Sequence, residues 1–421
     1  MSRRLLRAAC LLAVFASAPL AAQDLLIRNA TVHTAGTQGT LKNSDVLVQG
    51  GVIRAVGPGL TAPAGTTVVE ADGRPVTPAL FGGIAGIGIE EVSGESTTVD
   101  KSVTLPDAQP LRPEFDVTLA YNPASILIPV ARVEGLGFTA LAAAPGTSFV
   151  AGQGGIVRLD GSTDVLGQRP LYLSIGGQIS TKGGSSRAAQ WMLLDQAVAE
   201  ARGQVPPTSP HALLTPAGRT TLARYLSGQG RIFVNVNRAA DIRQLLRWAQ
   251  RNNVRIAITG GAEAWALAPQ LAQAGVPVFI DPLVNLPSSF DQIGASLENA
   301  ARLQAAGVQV GFTQSGDDAH NARKIRQLAG NAVANGLPWE EGLAGLTRVP
   351  AQAFGVGDRL GTIAPGRLAD LVLWNGDPLD VANTAEQIWL GGRAFPMRSR
   401  QTELRDRYLQ QAGALPRAYQ H

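Results

Sequence analysis

Apolar runs recur along the middle of the chain: GFTALAAAP (137–145), LYLSIGG (171–177), RIFVNVN (231–237), VRIAITGG (254–261), VPVFIDPL (276–283) and VQVGFTQSG (308–316). Each is short, rich in β-branched and aromatic residues and bounded by Gly, Pro or Asn, the pattern of a strand buried on both faces. TPALFGGIAGIG (77–88) has the same texture and opens the series. Helical patterns fall between the runs. In RAADIRQLLRWAQRNN, Ile242, Leu245, Leu246 and Ala249 are spaced i, i+3, i+4 and i+7 on one helical face, and Asn237 stands where an N-cap is expected. AEAWALAPQLAQAG repeats the arrangement with Ala264, Leu267 and Leu271, and Trp265 is expected to pack its helix on the strands. LENAARLQAAGVQV reads as helix, Gly stop and strand.

Strand and helix alternate over roughly 270 residues, a length that suits a closed (β/α)8 barrel of the TIM type, typically about 250. A doubly wound open sheet is the rival. The regular spacing favours the barrel, as does the lack of a Gly-rich phosphate loop after an early strand. GQGG (152–155) has no Lys-Ser/Thr after it and is a poor phosphate loop. Short strand-like runs broken by Gly, Asn and Asp occupy both ends, in DLLIRNATVHT, SDVLVQGGVIRAVG and TTVVEADGRPV, then in GDRLGTIAPGRLADLVLWNGDPLD and EQIWLGGRAF. They are expected to pair into one small composite β-sandwich. The expected division is 23–78 and 352–400 for the two parts of that domain, 79–351 for the α/β barrel and 401–421 for a tail.

The first residues alter the picture of charge and redox state. MSRRLLRAACLLAVFASAPLAAQ has a basic start, an apolar stretch and small residues near Ala21 and Ala22, as in a secretory signal over 1–22. The apolar stretch falls short of the roughly 20 residues that span a bilayer. Cleavage is expected to remove Arg3, Arg4 and Arg7, lowering the formal charge from +4 to about +1, so the basic balance does not point to nucleic acid. It also removes Cys10, the one cysteine, leaving no disulfide, Cys-bound zinc or Cys nucleophile. Export is the expectation, to the periplasm in a Gram-negative bacterium, with no membrane span after cleavage.

Several stretches, in order, resemble the amidohydrolase superfamily, nearest its imidazolonepropionase-like branch. They are LLIRNATVHT with VLVQGGVIRAVG, APGTSFVAGQGGIVRL (144–159), GLPWEEGLAGLTRVPAQAFGVGDRLG (336–361) and LGTIAPGRLADLVLWNGDPLD (360–380). The resemblance implies hydrolysis of non-peptide C–N bonds by metal-bound water, with zinc the expected cofactor. The family's ligands would come from two His on strand 1, a carboxylate or modified Lys in mid-barrel, one His each on strands 5 and 6, and an Asp on strand 8. The matching positions here hold Ile84, Gly86, Asn235, Gly260 and Gln314, and YLSIGGQIS has neither Glu nor Lys. Of the four histidines, His33 lies in a β segment, His211 follows PPTSPH, His421 is terminal and His320 alone sits near an expected barrel mouth. Neutral amides bind Zn2+ poorly, so neither a metal nor another cofactor is expected.

Polar residues remain near the expected mouth. GIGIEEVSGE places Glu90, Glu91 and Glu95 after strand 1, and FTQSGDDAHN places Asp317, Asp318 and His320 after strand 8. Strands 1 and 8 adjoin in a closed barrel, so these loops should meet. Glu91, Asp317, Asp318 and His320 are then candidates for an oxygen-ligand cation site or a His–carboxylate proton-transfer pair. Alternatively they are solvated charges, with Asp317 or Asp318 capping the next helix. Asn235, Asn237 and Gln314 could bind a polar ligand or one another. The resulting expectation is a catalytically degenerate member that binds a small molecule, or pairs with itself or with an active amidohydrolase. The alternative is a hydrolase of cyclic amides or related molecules using a non-standard site.

Overall fold

The computed structural model describes residues 24–104, 110–316 and 318–409. The expected signal over 1–22, His421 and Asp317 lie outside them. Both chain ends build one eight-stranded sheet. Its first part is β1 (Leu25–His33), β2 (Thr40–Gln49), β3 (Val52–Gly57), β4 (Thr67–Glu70) and β5 (Pro75–Pro78). The barrel strands follow: β6 (Leu80–Ile84), β7 (Leu136–Leu141), β8 (Val150–Gln153), β9 (Gly155–Arg158), the short β10 (Val165–Leu166), β11 (Leu171–Ser174), β12 (Ile232–Val236), β13 (Ile256–Gly260), β14 (Val278–Ile280) and β15 (Val310–Phe312). The chain then returns to the first sheet through β16 (Leu371–Trp374), β17 (Ala385–Leu390) and β18 (Arg393–Phe395).

The terminal sheet runs β18-β17-β16-β5-β1-β2-β3, with β4 on β1. Ile53 of β3 exchanges backbone hydrogen bonds with the chain before β16, donating to Arg367 and accepting from Gly366, so the sheet curls back over itself. Its inner face buries Leu25, Ile27, Val46, Val76, Leu371 and Trp389. This is the expected composite domain, and it is fastened to the barrel by close packing. A Cβ on Gly135, which has φ of 81°, would lie 2.5 Å from the Trp374 ring. Arg158 on β9 ion-pairs with Asp370 across the same boundary and with Asp160 on its own side.

The barrel follows the predicted runs closely but departs from the all-parallel expectation in two places. First, the third barrel strand is the kinked pair β8–β9. β9 lies antiparallel to β7 and β8 antiparallel to β11, whereas β6–β7 and β11 through β15 pair parallel. GQGG (152–155) is the kink, and a Cβ on Gly154 would fall 1.9 Å from the Leu141 carbonyl oxygen. Those glycines therefore serve close backbone approach. Second, among the described residues no ladder joins β15 to β6. The Phe81 N–H bonds instead to the Leu346 carbonyl at 2.7 Å, and Ile325 presses on Gly83. Helices that follow β15 thus fill the seam between the first and last strands.

Aromatic rings fill the barrel interior. Phe81, Phe138, Phe233 and Phe279 from four strands meet Phe354, which enters from below and stacks on Phe233 with centroids 4.4 Å apart and planes 9° from parallel. The interior is a packed core rather than a channel, as closed barrels require.

Candidate functional site at the barrel mouth

After β6 the chain turns at once. Gly86 accepts from the N–H groups of Ile89 and Glu90, and the loop returns as a narrow hairpin in which Glu90 bridges Val99. Glu95 caps the single turn Ser96–Thr98 through the Thr97 N–H. This geometry brings Lys101 back beside the strand end, where its carbonyl accepts from Ala144 at the exit of β7.

Lys101 organises the mouth. Its ammonium pairs with the Glu90 carboxylate, which is 2% exposed, and lies 3.1 Å from Asp318 Oδ1. The backbone N–H of Gly86 also favours the charged form of the Asp318 carboxyl. Burial alone would lower the Lys101 pKa, but the Asp318 and Glu90 carboxylates outweigh it and hold the ammonium above its ordinary value. Burial pushes the Asp318 carboxyl up, against the pull of Lys101. The loops after the first and last strands therefore meet, as the sequence implied, through a lysine that sequence reasoning did not single out. They meet over the seam that lacks a backbone ladder.

The positions where the resemblance expects metal ligands gather at this mouth, but their donor set does not fit the metal. Ile84 ends β6 and has no donor atom. A Cβ on Gly86 would stand 3.2 Å from Glu90 Oε2 and 3.3 Å from Lys101 Cδ, so the space for a larger side chain is filled by the ion pair. Gly260 likewise faces Asn237 Oδ1, 2.6 Å from its ideal Cβ, and Asn235 Nδ2 at 3.4 Å. Asn235 is open to solvent, and Gln314 is part-buried with Oε1 buried and unpartnered among the described residues. Two neutral amides and three positions without a donor side chain are a poor ligand set for a divalent cation. Among the described residues no three His, Cys, Asp or Glu side chains converge.

The remaining candidates separate. Glu91 turns away and accepts from Ser125 Oγ at 2.9 Å and Asn122 Nδ2 at 3.4 Å, bracing the next turn. His320 lines a small crevice with Leu127, Val130 and Gln401, while Asp318 is committed to Lys101 and Glu91 to Ser125, so among the described residues neither carboxylate pairs with it. Asp318 opens the helix Asp318–Asn321, but its carboxylate spans the seam rather than serving only as a helix cap. His33 packs against Trp339 with ring centroids 4.6 Å apart and planes tilted by 49°, and His211 lies in an exposed turn. Asn237 is not the N-cap expected of it. Its Oδ1 accepts the Ala262 N–H at 3.3 Å, and Glu263 reaches over from the next loop to accept the Ala239 N–H at 2.9 Å.

Glu263 also accepts the Gly294 N–H at 2.8 Å, while Trp265 donates to the Gly294 carbonyl, pinning the long loop after β14. That loop reaches across to β11's exit. Asp291 accepts the Gly177 N–H at 2.7 Å and pairs with Arg187, which also holds Asp241 at 2.9 Å. Burial pushes the Asp241 carboxyl up against the pull of Arg238 and Arg187. Glu263 and Asp291 carried no sequence signal, because each sits singly outside a periodic element.

An amidohydrolase family profile matches residues 317–395. Over 74 residues the chain is 40% identical to amidohydrolase tasK of Hapsidospora irregularis, covering 18% of this chain and 8% of that protein. Over 97 residues it is 41% identical to the imidazolonepropionase of Aromatoleum aromaticum, covering 22% of this chain and 24% of that one. The matched stretches thus span under a quarter of these relatives' lengths. In structure, an amidohydrolase from Thermotoga maritima superposes on 89% of this chain and 100% of its own with a TM-score of 0.78 at 23% identity, a likeness of fold. Across the return into the terminal sheet the chain is thus similar to amidohydrolases, and its fold is that of the Thermotoga maritima amidohydrolase.

Proposed function

We propose that this protein is an exported superfamily member that works without metal-assisted hydrolysis and holds a small polar ligand at its barrel mouth. The observation that carries the reading is the Lys101 ammonium lodged between Glu90 and Asp318 against Gly86. A fixed organic cation there braces the two loops and competes electrostatically with any divalent ion. The groups left for a ligand are the open Asn235 amide and the accessible edge of Lys101. They suit a compact molecule with amide-like donors and acceptors. The 41% identity with an imidazolonepropionase over 97 residues makes cyclic amides and ureas the first compounds to test.

Calorimetric titration of the purified protein with cyclic amides and ureas, with and without chelator, tests the reading. The expected result is binding that chelator leaves unchanged, weakened in Asn235→Leu, with no ligand turnover. Chelator-sensitive hydrolysis would overturn it in favour of an active hydrolase.

A subunit role is the second reading, favoured by one observation. The loop after β14 exposes Leu286, Phe290 and Ile293 at 77%, 87% and 64% beside the mouth. Large apolar side chains gathered on one loop are a feature of association surfaces. Light scattering of the native protein, against a Phe290→Ser variant, separates an oligomer held by this loop from a monomer.

A further inference from the structure

At the opposite end of the barrel, where the strands begin, a groove of about 730 Å3 runs between the helix Ala239–Asn252 and the short helix Ala268–Gln273. Its floor is apolar, made by Leu246, Ala249, Val254, Ile256, Leu267 and Val276. Its rim carries Arg231, Arg243, Arg247 and Arg255, with no acidic residue among the lining side chains.

These arginines are unopposed. Among the described residues none of the four forms an ion pair, whereas the neighbouring Arg238 and Arg251 pair with Asp241 and Asp195. Arg231 donates to the Ile256 carbonyl and Arg255 to the Gly228 carbonyl, which satisfies donors without neutralising charge. Burial, then the like charge of Arg255, lowers the Arg231 pKa. Arg243 and Arg247 lie one helical turn apart, and Arg251 continues the row, a like-charge spacing that opposes the helix. The neighbouring short helix offers Gln270 and Gln273 rather than carboxylates. A basic rim above an apolar floor is complementary to an anion attached to an apolar body, and the volume suits a ligand of ordinary small-molecule size.

We propose that this groove binds an anionic amphiphile: a small molecule joining a phosphate, sulfonate or carboxylate group to an apolar body. The guanidinium groups hold the anion through charge-assisted hydrogen bonds, and the body lies along Leu246. The site is independent of the mouth, since its side chains belong to the other end of the strands.

The test is a fluorescence titration of the full chain with 8-anilinonaphthalene-1-sulfonate, followed by competition with dodecyl phosphate and with inorganic phosphate. The proposal predicts saturable binding displaced by dodecyl phosphate at concentrations where phosphate alone displaces little. It predicts that R243Q/R247Q, whose altered side chains are exposed, melts like the parent and binds the probe about tenfold more weakly. Leu246→Glu should abolish binding by placing a carboxylate on the floor, and Phe290→Ser should leave it unchanged. The proposal is overturned if the arginine pair is indifferent, if Phe290→Ser removes the signal, or if phosphate competes as well as its dodecyl ester. It is also overturned if light scattering shows a dimer that R243Q/R247Q dissociates, because the occupant would then be a second copy.

Discussion

The Lys101 ammonium lies 3.1 Å from the Asp318 carboxylate, joining the loop after the first barrel strand to the segment after the last. The backbone ladder is missing between those two strands among the described residues, and Phe81 turns instead to Leu346. A metal held by ligands from several strands would brace such a barrel from within. Here an internal salt bridge spans the seam, with the buried Glu90 as its second anchor.

Removing Lys101 should therefore weaken the fold. Lys101→Met leaves Glu90 buried without its counter-charge, an uncompensated charge that costs about 3 kcal/mol. Adding Glu90→Gln should recover much of the loss. Urea denaturation of the single and double variants at neutral pH measures both. Because its folded pKa is raised, the lysine's stabilisation is fully present at neutral pH and is lost only as pH rises through that raised value.

Asp318 predicts a pH dependence of the opposite kind to the usual carboxylate. Its folded pKa is raised, so in this range the folded state binds more protons than the unfolded one. Its contribution is most favourable below the unfolded value, about 3.9, and declines as pH rises through the folded one. The stability difference between the parent and Asp318→Asn, measured by urea unfolding at successive pH values, should fall as pH is raised through the carboxylate range. A difference that grows over that range would show a depressed pKa.

Gly86 has no spare room. A single methyl group there meets Glu90 and Lys101 at 3.2 and 3.3 Å, so Gly86→Ala should destabilise by about 1–2 kcal/mol through displacement of the ion pair. The same substitution with Lys101→Met should cost less than the sum of the two, a coupling that a double-mutant cycle reads directly.

The barrel interior should be equally intolerant of loss. Phe233 is 1% exposed and stacked on Phe354, and Phe233→Ala should cost about 3–5 kcal/mol, read by denaturant midpoint.

The sequence was most legible where a periodic constraint acts on many residues together. The runs at 231–237 and 254–261 became β12 and β13 with shifts of only a residue or two, since strands buried on both faces cannot be polar. The antiparallel third strand was hidden because an apolar run carries no mark of direction, and GQGG advertised a loop rather than a kink. The mouth was legible in its acids but not in its base. Lys101 sits in a polar loop without periodicity, and its only signal was rarity, as one of four lysines in a chain rich in arginine. Asn237 misled because a good capping residue was outcompeted by Glu263, a partner separated by 24 positions from Ala239 and visible only in three dimensions.

The central claim is that the ion pair of Lys101 with Glu90 and Asp318 stands in place of a catalytic metal. The most direct measurement is the metal content, by inductively coupled plasma mass spectrometry, of protein purified without chelator and then dialysed against zinc. The account predicts well under one equivalent of zinc, iron or manganese, before and after dialysis, with unchanged thermal stability. A full equivalent retained through dialysis, and lost together with folding or activity on chelation, would contradict it.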